Sequence, residues 1–131
     1  MSIPPEVYVY IVSEETYADK AAIVEEGGHG TWVYIVLEGQ VKVKKKTPKG
    51  LATLYTLKEG EIFGATNLLR NTRGSRTTSV VADGEAVIGL LDANKLTEDL
   101  NALSSHLKKF ISTLAKRLQD STEKAVTTIA G

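Results

Sequence analysis

Between Glu6 and about Leu91 the chain alternates short apolar runs with glycine: "VYVYIV", "AAIVEE", "TWVYIVLEG", "QVKVKKK", "LATLYTL", "TTSVVA" and "EAVIGLL". The runs are rich in β-branched and aromatic residues and are closely punctuated, which predicts short antiparallel strands closed into a sandwich or barrel. Within "QVKVK", Val41 and Val43 fall on one side of a strand while Lys42 and Lys44 fall on the other, the alternation of a sheet with one face on a core. Glycines at 27–28, 39, 50, 60 and 84 read as turns. In "TPKG", Pro48 occupies the first central position of a tight turn. Past Asp92 the period lengthens: no glycine or proline occurs between Ala93 and Ala130, and apolar residues recur at helical spacing. The expected fold class is therefore mainly β with C-terminal helices, a β portion over about 6–91 and a helical tail over about 94–128.

The tail carries a second pattern. Leu107, Ile111, Leu114, Leu118, Ser121 and Ala125 are spaced alternately by four and three residues, the seam of a coiled coil. Such a seam needs something to cover it. A second copy of the chain would make a homodimer; the chain's own sheet is the alternative, with Phe110 and Leu103, which lie off the strict seam, serving that contact. At Ser121, with Thr122 beside it, the stripe turns small and polar, so hydroxyls there either set the register or face a ligand.

Composition narrows the function. With 131 residues, 42% of them hydrophobic, the chain is large enough to bury a core and is expected to be one domain over residues 1–131. Sixteen basic residues balance sixteen acidic ones, so no global charge favours nucleic acid or a membrane surface. The absence of cysteine excludes disulfides, thiolate metal sites and thiol nucleophiles. The N-terminus lacks a basic leader, and no apolar run approaches a membrane span. A cytoplasmic protein with no membrane partner is expected.

Catalytic patterns are missing. Histidine occurs only at His29 and His106, too few imidazoles for an open metal site in a barrel. There is no "GxSxG" nucleophile elbow. We expect no enzyme, no metal and no resident cofactor. The lysines at 42, 44, 45, 46 and 49 could neutralise nucleic-acid phosphates. Their placement on an alternating strand fits better an exposed hairpin whose charges guard a sheet edge, so direct DNA binding is not expected.

"GEIFGATNLLRNTRGSRTTSV", from Gly60 to Val80, is the stretch richest in candidate chemistry. A helix beginning in "ATNLLRN" would point the amides of Ala65, Thr66 and Asn67 and the positive end of its dipole toward the preceding loop, and Arg76 could fork onto the same anion. Arg70 and Arg73 are near enough in sequence to substitute for it. A solvated arginine loop is the plain alternative.

Three pieces together resemble the cyclic nucleotide-binding domain family, over roughly Ala22 to Val126. "EEGGHGTWVYIVLEGQVKV" is similar to the family's glycine turn, strand, "LxG" turn and strand; "LKEGEIFGATNLLRNTRGSRTTSVVA" resembles its phosphate-binding cassette; "LAKRLQDSTEKAV" is similar to the long helix that follows in the catabolite activator protein. The resemblance implies an antiparallel β jelly roll (double-stranded β-helix) followed by a long α-helix, sensing a small anionic ligand, with cyclic AMP or a related nucleotide first in view. It places Gly64, Ala65, Thr66, Asn67, Arg76, Thr77 and Thr78 at the ligand, with Arg76 neutralising the cyclic phosphate and Thr77 donating its hydroxyl. By the same resemblance, Ser121 and Thr122 would face the adenine from the long helix, one subunit contributing to the other. The sequence departs from the family at Ala65, where binding members carry a glutamate that accepts from the ribose 2′-hydroxyl. A charged hydrogen bond of that kind is worth about 1.5 to 3 kcal/mol, roughly ten- to hundredfold in affinity. The family's transcription factors carry a helix-turn-helix domain after the long helix; none is expected within residues 1–131, so a role in transcription would run through a regulatory protein partner or through a part outside this sequence. Two functional readings follow: a ligand sensor that couples occupancy to dimer geometry or partner binding, and an interaction module that keeps the fold without the ligand.

Overall fold

The computed structural model describes residues 5–27, 32–65 and 78–130, excepting the side chains of residues 119 and 122–130. A single helical turn, α1 (Pro5–Tyr8), is followed by β1 (Ile11–Tyr17), β2 (Ala22–Val24), β3 (Val33–Thr47), β4 (Gly50–Lys58), β5 (Ile62–Phe63) and β6 (Ser79–Leu91), then by α2 (Ala93–Asn101) and α3 (Ser105–Ala130). The strands pair antiparallel in the order β1-β6-β3-β4, with β2 also on β6 and β5 also on β3. The architecture is mainly β with C-terminal helices, an antiparallel jelly roll.

The pleat of β3 divides its apolar residues between two clusters, and the irregularity between Val36 and Gln40 shifts its phase so that Val36 shares a face with Val41 and Val43. Val36, Val41 and Val43 face inward with Val24, Phe63, Val80, Ala82, Ala86 and Ile88. Val33 and Ile35 face outward with Leu91, and α1, the following turn, the start of β1 and α2 cover them through Val7, Tyr10, Ile11 and Leu96. This cover is also hydrogen-bonded: Asp92 N donates to Tyr10 O at 2.7 Å, and the Tyr10 hydroxyl donates to the Asp99 carboxylate, which raises the tyrosine's pKa. Asp92 also caps α2, its Oδ1 accepting from Lys95 N at 3.0 Å.

Several sequence expectations hold locally. Val41 and Val43 are buried, and Lys42 reaches across to Asp83 at 3.7 Å. Pro48 and Lys49 form the two-residue tip between β3 and β4, closed by Thr47 Oγ1, which donates to Gly50 O at 2.6 Å and accepts from Lys49 N at 3.2 Å.

Others are corrected. "VYVYIV" is not one strand: its first residues lie in α1 and the turn after it, and pairing begins at Ile11. "TWVYIVLEG" and "QVKVKKK" fuse into β3, while the end of "TTSVVA" and "EAVIGLL" fuse into β6. Gly39 and Gly84, expected as turns, are bends inside these two long strands. Glu38 pairs with Val87 but Gln40 pairs with Asp83, so β6 carries extra residues opposite Gly39, a bulge that bends the ladder around the core. The helical tail is interrupted at residues 102–104 although it contains neither glycine nor proline. Ser104 restarts it as an N-cap, with its Oγ accepting from Leu107 N at 3.2 Å and its carbonyl accepting from Lys108 N at 3.0 Å.

Candidate functional site

The stretch between β5 and β6, where the sequence placed its candidate site, leaves and rejoins the roll on the same strand, β3. At its entry, the turn at Glu59–Gly60 is pinned by Gly60 N donating to Val36 O at 2.8 Å and Val36 N donating to Glu61 O at 3.0 Å. β5 then pairs Ile62 with Ile35 and Phe63 with Tyr34. The Phe63 ring is buried in the roll and stacks on Tyr34, centroids 5.0 Å apart and planes within 14°. Gly64, with φ at +83°, turns the backbone through a region that a side chain would disfavour, and Ala65 packs half-buried against the outer cluster of Val33, Ile35 and Leu91. At the exit, Thr78 is half-buried, Ser79 pairs with Lys44 of β3, and Val80 is buried opposite Val43 and Val24.

Gly64, Ala65 and Thr78 therefore stand at the two stems. Thr66, Asn67, Arg76 and Thr77, like Arg70 and Arg73, lie outside the described residues.

Sequence reasoning does not single out Glu26, a residue that adds side-chain ties to the strand pairing at the exit. Its backbone N–H donates to Ser79 Oγ at 2.9 Å, its Oε1 accepts from Lys46 N at 2.9 Å, and its Oε2 lies 3.4 Å from Lys45 Nζ. No local pattern marks it, because the two hydrogen-bond partners are 53 and 20 residues away. Inside the roll, Tyr17, Ile23, Tyr34 and Leu57 pack partly buried on the inner cluster. Burial, assisted by a 2.7 Å hydrogen bond from its hydroxyl to Glu15, pushes the Tyr17 pKa up to about 12.

The long helix α3 lies against β3 and β4. Ala115 is its buried residue, 4% exposed, with Lys108, Ile111 and Ser112 half-buried on the same face. Phe110, expected to serve contact with the sheet, is instead 52% exposed. Of the expected seam, Leu107, Leu114 and Leu118 are exposed, whereas Ile111 turns partly toward the roll. Ser121 is exposed on α3; the Thr122 and Ala125 side chains lie outside the described set. His106 is exposed on the same helix, and among the described residues no three His, Asp or Glu side chains gather as a metal site. No described helix is long and apolar enough to cross a membrane.

The model of the family described as the cyclic nucleotide-binding domain matches residues 14–101. That match ends with α2, so α3 lies beyond it. The human cyclic nucleotide-gated channel beta-1 is 34% identical over 112 residues, covering 82% of this chain but 9% of the channel subunit. The mouse cyclic nucleotide-gated channel beta-3 is 39% identical over 79 residues, 60% of this chain and 11% of that protein. Among solved structures, the EAL enzyme Bd1971 in its cAMP- and cyclic-di-GMP-bound form superposes with a TM-score of 0.77 at 25% identity, over 86% of this chain and 30% of that one. PKAR CBD2 bound to Sp-2Cl-cAMPS shares the fold, with a TM-score of 0.63 at 20% identity over 89% of this chain and 70% of that chain. This chain thus spans a small part of the channel subunits that it resembles.

Proposed function

The chain belongs to the cyclic nucleotide-binding domain family, and from that premise we propose that it is a sensory module whose roll holds a cyclic nucleotide at the cassette between Gly64 and Thr78. The observation that carries this reading is the mooring of both cassette stems on β3, through Tyr34–Phe63 at the entry and Lys44–Ser79 at the exit. Such a frame presents a loop of fixed span. Within it, Arg76 supplies the charge for a cyclic phosphate, Thr77 donates a hydroxyl, and the amides of Ala65, Thr66 and Asn67 provide further donors. Cyclic AMP is the first candidate, as structural neighbours at 25% identity were solved with cAMP and related ligands.

Ala65 sets the ligand preference. Without a carboxylate at this position the ribose 2′-hydroxyl loses its charged acceptor, so affinity falls roughly ten- to hundredfold below that of a complete cassette. Occupancy acts by population shift: the ligand favours the arrangement of α3 that contacts it, to the extent of its differential affinity. Ser121 and Thr122 are the hydroxyls proposed to face the base. The exposed leucines of α3 are proposed to meet a second copy of the chain, giving occupancy a dimer geometry to bias.

A second reading keeps the fold and the seam without a ligand, and Ala65 favours it: the side chain packs on the apolar outer cluster. Thermal unfolding separates the two. Cyclic AMP or cyclic GMP at a hundred times the dissociation constant adds about 2.7 kcal/mol to the folded state, a shift of several degrees for a domain of this size. A shift that disappears in Arg76→Ala supports the sensor. No shift with either nucleotide at millimolar concentration supports the assembly module.

A further inference from the structure

Besides the strand pairing of Ser79 and Val80, the cassette exit is tied by one residue acting in three directions. Glu26 sits in the turn after β2, and its backbone N–H and both carboxylate oxygens are engaged at once: Ser79 Oγ at 2.9 Å, Lys46 N at 2.9 Å and Lys45 Nζ at 3.4 Å. The Glu26 and Lys45 side chains are only 19% and 21% exposed, so water competes less for these contacts than at an open surface. The links join three strands. Lys45 and Lys46 belong to β3, Glu26 continues from β2, and Ser79 begins β6. Without Glu26, Lys46 N loses its carboxylate acceptor and the turn after β2 loses its tie to β3.

We propose that Glu26 is a positioning residue of the cassette proposed above: its carboxylate anchors the β2 turn to β3, and its backbone N–H then fixes Ser79, so that the exit stem at Thr78–Val80 is held in place for the ligand. The proposal rests on the cassette reading above. Glu26 also places a negative charge beside the exit, 3.4 Å from Lys45 Nζ, and removing it makes the exit more positive. A purely electrostatic role therefore predicts tighter binding in Glu26→Ala, whereas positioning predicts weaker binding. The signs are opposite.

The test is a titration of the full chain with cyclic AMP in wild type, Glu26→Ala, Glu26→Gln, Ser79→Ala and the double variant Glu26→Ala/Ser79→Ala, with ligand-free thermal midpoints and amide hydrogen exchange at Thr78, Ser79 and Val80 measured on the same samples. Positioning predicts about tenfold weaker binding in Glu26→Ala and in Ser79→Ala, no further loss in the double variant, and partial recovery in Glu26→Gln, whose amide oxygen can still accept from Lys46 N. Exchange at the three amides should quicken at least tenfold in Glu26→Ala while the global midpoint moves by only a few degrees. Unchanged or tighter binding in Glu26→Ala overturns the proposal, as does a loss that merely follows the midpoint in all variants. If the wild type binds no cyclic nucleotide, the sensor reading fails, and the exchange measurement alone decides the mooring role: local quickening upholds it and unchanged exchange overturns it.

Discussion

Replacing Gly39 by alanine tests the bend that shapes the roll. Gly39 has φ at +81°, and a Cβ built on it would lie 2.6 Å from Glu85 O and 3.2 Å from Ala86 Cα, both backbone atoms of β6. Two costs combine. Holding a residue with a side chain in the left-handed region costs of order 1 to 3 kcal/mol, and forcing a methyl against backbone that cannot rotate away costs about 1 to 3 kcal/mol more. Reduced freedom of the unfolded chain offsets neither, because alanine cannot adopt the native conformation without strain. Gly84 supplies the control: it has φ at +76° near the same bulge, yet an added Cβ would meet nothing within 4 Å. Gly84→Ala should therefore lose only the conformational part, about 1 kcal/mol, and Gly39→Ala about 3 kcal/mol or more. For a chain of 131 residues this corresponds to a fall in midpoint of roughly 3 °C against roughly 10 °C. Urea and thermal unfolding followed by circular dichroism measure both. If Gly39→Ala proves no more costly than Gly84→Ala, the Glu85–Ala86 backbone yields freely, and close approach at Gly39 does not hold the bend.

Two further outcomes probe the helix and the roll interior. Leu114→Glu, on the exposed face of α3 and away from Ala115, should turn a dimer into a monomer in light scattering while the unfolding midpoint of the roll stays within about 2 °C; a wild type that is already monomeric at high concentration refutes the seam as a homodimer contact. Tyr17 should contribute to the alkaline limit of stability. Its folded pKa, about 12, lies above the ordinary value of 10.0, so its contribution is fully present below pH 10 and is lost as pH rises toward 12. Tyr17→Phe should flatten the fall in urea midpoint across that window, and an undiminished slope would locate the alkaline sensitivity elsewhere.

How much of the molecule could be read in advance depended on the range of the interaction concerned. The alternation at Val41 and Val43, the Pro48 turn and the switch to helix after Asp92 are local, because strand pleat, proline φ and helical period act over a few residues. The entry to the cassette, too, was legible from the order of Gly60, Phe63 and Gly64. Ser104 shows where even a local signal was passed over: a serine with no glycine or proline beside it caps α3, since its hydroxyl can supply the acceptor that ends one helix frame and starts the next.

Residue types and periods along the chain were enough to determine a glycine-punctuated β fold, a helical tail with a leucine stripe and an alanine directly after Gly64. Tertiary structure decided what those features do. A positive-φ glycine serves a turn or a bulge equally well, and only the offset pairing of β3 with β6 made Gly39 and Gly84 bends inside strands. A helical stripe has no intrinsic inside, and only the docking of α3 on β3 and β4 turned Ala115 inward and left Phe110 out. Glu26, Lys45, Lys46 and Ser79 are unremarkable in sequence; their meeting exists because three strands, separated along the chain, converge where the cassette rejoins the roll.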